Sequence, residues 1–257
     1  MSYLIICTVA LLASGLTLFS GFGLGTLLMP VFALFFPIEV AIAQTALVHF
    51  ANNLLKLGLF SRRADWQTVL LFGLPAFLAS FAGARVLLWL ADLAPLHTYL
   101  LNGRQFMVHP VKLVIALLMV GFSAMELYPS AKQFTIGRKY MPLGGLLSGF
   151  FGGLSGNQGA FRSVFLIKSG QGKEAFIGTG VVIAGLVDFS RLSVYAGLLG
   201  SEEVMGNLAL ILVAILAAFA GVFLGSRLVK KVTIRSLQVL VAVMLFLIAI
   251  LLGGGMI

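Results

Sequence analysis

Apolar residues run along this chain in long blocks, separated by short pieces rich in basic and polar residues. The blocks cover about 3–36, 38–60, 67–90, 111–128, 141–169, 174–198, 204–228 and 236–254. Most have the length of a helix that crosses the hydrocarbon core of a bilayer, roughly 17–25 residues. The first and fifth blocks are longer, and glycines interrupt both. The pattern predicts an all-α polytopic membrane protein.

The two interrupted blocks are related. A shift of 134 residues carries Gly15, Gly25, Ala41 and Thr45 onto Gly149, Gly159, Ala175 and Thr179. It also superposes Gly21-Phe-Gly-Leu-Gly25 on Ser155-Gly-Asn-Gln-Gly159. Phe81-Ala82-Gly83 matches Phe219-Ala220-Gly221 at a shift of 138. The chain reads as a tandem duplication, 1–128 and 129–257. The first half holds a broken segment at 3–36 and helices at 38–60, 67–90 and 111–128. The second holds a broken segment at 141–169 and helices at 174–198, 204–228 and 236–254.

Charge placement bears on whether a broken segment crosses or re-enters. If it crosses, one face holds Arg62, Arg63, Lys132, Arg138 and Lys139, and the other holds Arg104, Lys112, Lys168, Lys173, Arg227, Lys230, Lys231 and Arg235. If it re-enters, only Arg104 and Lys112 remain opposite all the others. Basic residues concentrate on the cytoplasmic side, so the re-entrant arrangement is expected. Each half then crosses three times, and the second half is inverted relative to the first. Two inverted repeats, each a glycine-broken re-entrant hairpin plus three transmembrane helices, make a transporter architecture. Both termini are expected outside the cytoplasm, in a cell (inner) membrane.

Composition agrees: 60% of the residues are hydrophobic and 10% charged, against about 25% charged in soluble domains. The net charge of +9 falls in short loops, where the positive-inside rule accounts for it without a nucleic-acid partner. The apolar N-terminus has no basic residue ahead of it and does not read as a cleaved signal peptide. A single cysteine, Cys7, excludes an internal disulfide, and no Cys/His cluster has metal-ligand spacing. No metal and no cofactor are expected.

The polar residues inside the blocks carry the candidate chemistry. An unwound segment survives in a membrane only within protein or beside water, and a helix that starts at such a break offers free N–H groups to an anion. The breaks at Gly21, Gly23 and Gly25 and at Ser155, Gly156, Asn157, Gln158 and Gly159 would each start a half-helix, with Thr26 and the 160–163 turn at its N-terminus. The plainer reading is close helix packing, because Gly21/Gly25 and Gly149/Gly153 are G-x-x-x-G pairs. No Lys-Ser/Thr follows the glycines, so a phosphate-binding P-loop is set aside.

Arg162 costs ~2.5–3.5 kcal/mol in the membrane unless compensated. It either binds an anion through its donor fork or snorkels to the cytoplasmic surface. Asp188 and Arg191 share a helix face, as a structural ion pair or as a functional one in which Arg191 holds the anion and Asp188 relays protons. His49 is a buried, hydrogen-bonded side chain or a proton-coupling group. Gln44 and Thr45 lie one turn before it, and Thr179 is the repeat mate of Thr45. Asn52 and Asn53 lie deeper, and Lys56 is expected to reach the cytoplasmic interface.

Gly21-Phe-Gly-Leu-Gly25-Thr-Leu-Leu-Met-Pro30, with Val40-Ala41 ten residues on, resembles the first glycine motif of the TauE/SafE sulfite exporter family, also called the toluene sulfonate uptake permeases. Gly149-Phe-Phe-Gly-Gly-Leu-Ser-Gly-Asn-Gln-Gly159, then Thr179-Gly and Asp188-Phe-Ser-Arg191, resembles its second motif in one branch. Val164 stands where the first repeat has Pro30, and Asn157-Gln158 stand where glycines are common. The resemblance implies transport of sulfite, sulfonates or related organosulfur anions, coupled to an ion gradient.

The expectation is therefore an ion-coupled secondary transporter for a small sulfur-containing anion, with alternating access between the repeats. An anion channel and a carrier of another small anion, such as a carboxylate, are the alternatives. A membrane enzyme needs a nucleophile with a base, or a metal site, and neither is evident. The expected partners are the anion, the lipid bilayer and a coupling proton or Na+, and a homodimer is compatible with the sequence.

Overall fold

The computed structural model describes residues 2–17, 23–127, 137–166, 172–228 and 234–257. Gly21, Lys132, Lys168, Lys230 and Lys231, used above, lie outside the described residues. The first broken block forms α1 (Ser2–Thr17) and α2 (Leu24–Ala33), and α3 spans Ile38–Phe60. A short α4 (Trp66–Thr68) passes through a π-helical turn, Val69–Gly73, into α5 (Leu74–Ala91). Then come α6 (Pro110–Leu127), α7 (Met141–Ser155), α8 (Gly159–Leu166) and α9 (Lys173–Val194). Two short helices, α10 (Ala196–Leu199) and α11 (Glu202–Met205), lead to α12 (Leu208–Leu228) and α13 (Ile234–Gly253).

Trp66–Ala91, Glu174–Val194 and Leu208–Gly225 are each long and apolar enough to cross a membrane. Their outward faces are greasy: Leu70, Leu74 and Leu78 of the first, and Leu212, Leu216 and Phe223 of the third, are exposed. Exposed Trp66 and Trp89 sit at opposite ends of the first span, where amphipathic rings favour the two interfaces. Polar side chains such as Gln44, Asn52, Asp188 and Arg191 are buried instead.

Local chemistry accounts for the irregularities. Asp65 caps α4, accepting from the Gln67 backbone N–H at 3.1 Å and from the Thr68 hydroxyl at 2.6 Å. Pro75 opens α5. It has no N–H to donate into the preceding turn, which is where the ladder slips into π geometry. Gly156 ends α7 in the left-handed region, with φ +78 and its N–H bonded to the Gly152 carbonyl at 3.0 Å. Glycine is the favoured residue for that helix stop.

One element corrects the all-α expectation. Strands β1 (His97–Leu101) and β2 (Arg104–Val108) pair antiparallel, with Leu101 opposite Arg104. Asn102 and Gly103 between them have φ of 52 and 75, both positive as a two-residue type I′ turn requires. A lone hairpin is marginal in water. This one is anchored, because Tyr99 donates from its hydroxyl to the Gly254 carbonyl at 2.6 Å and stacks on Phe106.

The helices pack through small residues. In α7, Gly145, Gly149 and Gly153 lie on the carbonyls of Phe72, Ala76 and Ser80 of the π turn and α5, while Gly83 of α5 lies on Phe150 of α7. Gly15 of α1 meets Gly225 of α12, and Gly221 meets Leu11. The other extensive contacts join α3 to α9 and α6 to α13. The packing reading of Gly149 and Gly153 is therefore what the structure shows.

A methyl group at position 149 would enter the Ala76 backbone, whereas one at Gly121 meets nothing within 4 Å. Gly149→Ala is expected to cost ~1–3 kcal/mol by overpacking. Gly121→Ala should be neutral or stabilising by up to about 1 kcal/mol. Melting temperatures of the purified variants in one detergent check both.

Candidate functional site

The site is organised around Asp188 of α9, whose side chain is fully buried. One carboxylate oxygen accepts from His49 Nδ1 at 2.6 Å and from Asn53 Nδ2 at 2.7 Å, both on α3. The other accepts from Arg191 Nη2 at 2.7 Å, Arg191 Nε at 3.1 Å and Gln158 Nε2 at 3.2 Å. A carboxylate only accepts, so His49 carries its proton on Nδ1. Its Nε2 then faces the first break, 3.5 Å from where a Cβ on Gly23 would stand.

Arg191 is likewise fully buried. Its Nη1 donates to the Gly152 carbonyl at 3.4 Å, and it lies 3.1 Å from where a Cβ on Gly156 would be. The buried Tyr195 hydroxyl donates to the Gly153 carbonyl. Arg191 thus adds a second donor to the Gly152 carbonyl, which already accepts from the Gly156 N–H at 3.0 Å, and Tyr195 serves Gly153 beside it, where a cation suits the negative end of the helix. Arg191 spends donors on both Asp188 and Gly152.

The second break is tied at several points. Ser148 donates to the Gln158 carbonyl at 2.9 Å, Ser155 donates to the Phe151 carbonyl at 2.9 Å, and the Asn157 N–H reaches the Ser155 hydroxyl at 3.4 Å. Gln158 is a bridge, because its Nε2 serves Asp188 while its Oε1 accepts from Arg162 Nη1 at 3.2 Å. Arg162 is buried and turned back toward the break, with Nε 3.6 Å from the Cβ position of Gly180. It does not snorkel.

Lys56 is buried too, within electrostatic reach of Arg162 and Asp188. The expectation that Lys56 reaches the interface is corrected. It stands one face-turn beyond His49 and Asn53 on α3, and that face packs against α9 rather than toward solvent. The i, i+4, i+7 spacing of His49, Asn53 and Lys56 was the signal for this set. The same spacing rule places Tyr195 with Asp188 and Arg191.

The two breaks touch. A Cβ on Gly25 would stand 3.2 Å from the Gly156 carbonyl oxygen, 3.7 Å from the Thr45 methyl and 3.9 Å from His49 Cδ2. Thr26 is buried beside Gly23, and Gly159 begins α8. Several buried polar atoms here have no partner among the described residues: the Thr45 hydroxyl, both ends of the Gln44 and Asn157 amides, and Asn52 Nδ2, although Asn52 Oδ1 accepts from Ser14 at 3.2 Å. Thr179 is elsewhere, since its hydroxyl accepts from the Asp65 N–H at 2.9 Å in the turn after α3.

Among the described residues, the buried formal charges are Asp188 against Arg162, Arg191 and Lys56. No group of three His, Cys, Asp or Glu side chains that could hold a metal occurs among the described residues. A cavity of about 530 Å³ lies apart from the cluster, lined by Glu39, His109 and Lys112 among others.

A bundle with an apolar exterior, two interrupted helices meeting inside it and a buried excess of cations is a membrane protein that handles small solutes. Residues 6–252 match the family model of the sulfite exporter TauE/SafE, and the chain belongs to that family. The family is one of membrane transporters for sulfur-containing anions, not of enzymes. Comparison with curated proteins and with solved structures gives no match.

Removing the Asp188 charge while Arg191 stays buried is expected to cost about 3–5 kcal/mol. Asp188→Asn should therefore melt on the order of 10 °C lower than the parent protein. Tyr195→Phe, which removes one hydrogen bond, should cost only about 1 kcal/mol. Thermal unfolding of both variants in the same detergent distinguishes the two.

Proposed function

We infer that the protein is an ion-coupled secondary transporter for a small sulfur-containing anion, with its substrate held where the two breaks meet. The observation that carries this is the buried charge: three cationic side chains against one carboxylate, a formal excess of 3 − 1 = 2 among the described residues. Buried charges are paired or costly, and an anion between the breaks supplies the missing partner.

The proposed contacts come from Gly23, Gly25, Thr26, Gln44 and Thr45 on one side. On the other they come from Ser155, Gly156, Asn157, Gln158, Gly159 and Arg162. Backbone N–H groups at the starts of α2 and α8 add to these. Arg191 acts by positioning, and Thr179, engaged by Asp65, contributes no contact.

Two inverted repeats rocking against each other would give alternating access. The packing supports this reading. If α1, α3, α5 and α6 correspond to α7, α9, α12 and α13, then the α1–α12 contact is the counterpart of α5–α7, while α3–α9 and α6–α13 map onto themselves. That is the pattern of a two-fold axis between halves. The charge asymmetry of the loops supports termini outside the cytoplasm in an inner membrane.

His49 bridges the Asp188 carboxylate and the first break, which is the position of a proton-coupling group. In proteoliposomes, sulfite or sulfonate uptake should saturate, run uphill under a proton gradient and vary over roughly pH 5 to 8. His49→Gln should flatten that pH dependence. A flat profile in the parent protein removes His49 from coupling, and flux that never runs uphill makes the protein a channel.

A thermal-shift screen of the purified protein tests the substrate class. A ligand at about 100 times its Kd stabilises by ~2.7 kcal/mol. Sulfite and sulfonates are expected to raise the melting temperature, and a response to carboxylates alone would overturn the sulfur assignment.

A further inference from the structure

Asn157 and Gln158 are adjacent, chemically alike and both buried, yet the structure treats them differently. Gln158 spends its amide nitrogen on Asp188 and its oxygen on Arg162. Among the described residues, Asn157 leaves both Nδ2 and Oδ1 without a partner at 1% exposure. Buried polar groups in native proteins are almost always hydrogen-bonded, so each exception calls for an explanation. The Asn157 backbone is already held by Ser155, so its carboxamide has no part in closing the turn.

Its position gives the explanation. Asn157 follows Gly156, whose carbonyl is the point of contact with Gly25 of the other break. Thr45, with its hydroxyl also unpartnered, packs its methyl against that same glycine. The start of α8 lies two residues on. Asn157 and Thr45, the two residues with these unpartnered groups, thus flank the point where α2, α3 and the α7–α8 break converge.

An amide presents one end that donates and one that accepts, whichever way it is turned. A simple anion with only acceptor oxygens satisfies the nitrogen and leaves the oxygen stranded. An anion that also carries an O–H or N–H close to its charged oxygens satisfies both. Resting on the anion-carrier reading above, we propose that the substrate is a donor-bearing organosulfur anion, a hydroxy- or amino-substituted short-chain sulfonate, and that Asn157 is the specificity-determining residue that reads the donor. A site built to hydrogen-bond a substrate hydroxyl rejects the analogue that lacks it far more strongly than an apolar pocket distinguishes two methylenes.

The test compares ethanesulfonate with 2-hydroxyethanesulfonate, which differ in that one donor, by calorimetric titration of the full-length purified protein. The hydroxylated anion is expected to bind at least about ten-fold more tightly. Asn157→Leu, of the same branching, should bring the ratio close to one. Without ligand this variant should melt no lower than the parent, because it removes a buried group that has no partner. Equal binding of the two anions by the parent protein overturns this proposal alone, and so does a ratio that survives Asn157→Leu. If neither anion binds, this proposal and the sulfonate reading fall together. A Asn157→Leu protein that melts well below the parent shows a structural role and also overturns it.

Discussion

A single buried carboxylate holds the interior of this protein together. Asp188 receives five hydrogen bonds from four side chains, and those side chains come from α3, from the α7–α8 break and from α9 itself. A carboxylate has about four lone-pair sites, so this one is saturated. The bonds fix the rotation of α3 against α9 and the depth of the break between them. The same saturation bears on the proposed coupling. A sodium ion at Asp188 has to displace a donor, while a proton on His49 Nε2 displaces nothing and keeps the Nδ1 contact.

The end of α7 depends on that carboxylate at one remove. Its last carbonyls need partners in a place without bulk water. Tyr195 supplies one at Gly153, and Arg191 joins the Gly156 N–H at Gly152, with Asp188 keeping Arg191 in position to do so. Gly145, Gly149 and Gly153 face α5 and let the backbones approach, while Gly156 and Gly25 shape the junction of the breaks. The glycines of this segment therefore divide between packing and the site according to helix face, so neither reading of the motif excludes the other.

That division explains what the sequence made legible. The helical, membrane-embedded class followed from the length of the apolar blocks, because bilayer thickness dictates it. Asp188 and Arg191 were readable as a pair because three residues along a helix bring side chains together. Contacts between distant segments were not readable: nothing in the local pattern says that His49 and Asn53 meet Asp188, or that Asp65 occupies Thr179. Lys56 was misplaced because its nearness to the end of α3 suggested an interface, whereas the helix face, not the distance from the end, decides burial. The hairpin at 97–108 carries the strongest short-range signal for one in Asn102-Gly103, but the lengths of the apolar blocks say nothing of the segments between them. Asn157 and Gln158 have the same chemistry in sequence, and only coordinates separate the bridge from the unpartnered amide.

The cluster is also polarised. Arg191 is neutralised twice, by Asp188 and by the negative end of α7. The uncompensated cations are then Arg162 on α8 and Lys56 near the Phe60 end of α3, which repel one another across a short span of low dielectric. Gln158 joins this half to the neutral half by accepting from Arg162 and donating to Asp188. A membrane protein gains nothing in stability from two buried like charges. Their retention beside a break with groups unpartnered among the described residues fits the proposed negative solute, which would complete the set. Neither cation hydrogen-bonds Asp188 directly in the contacts above, so such a solute would leave intact the bonds that hold α3, α7 and α9 in register.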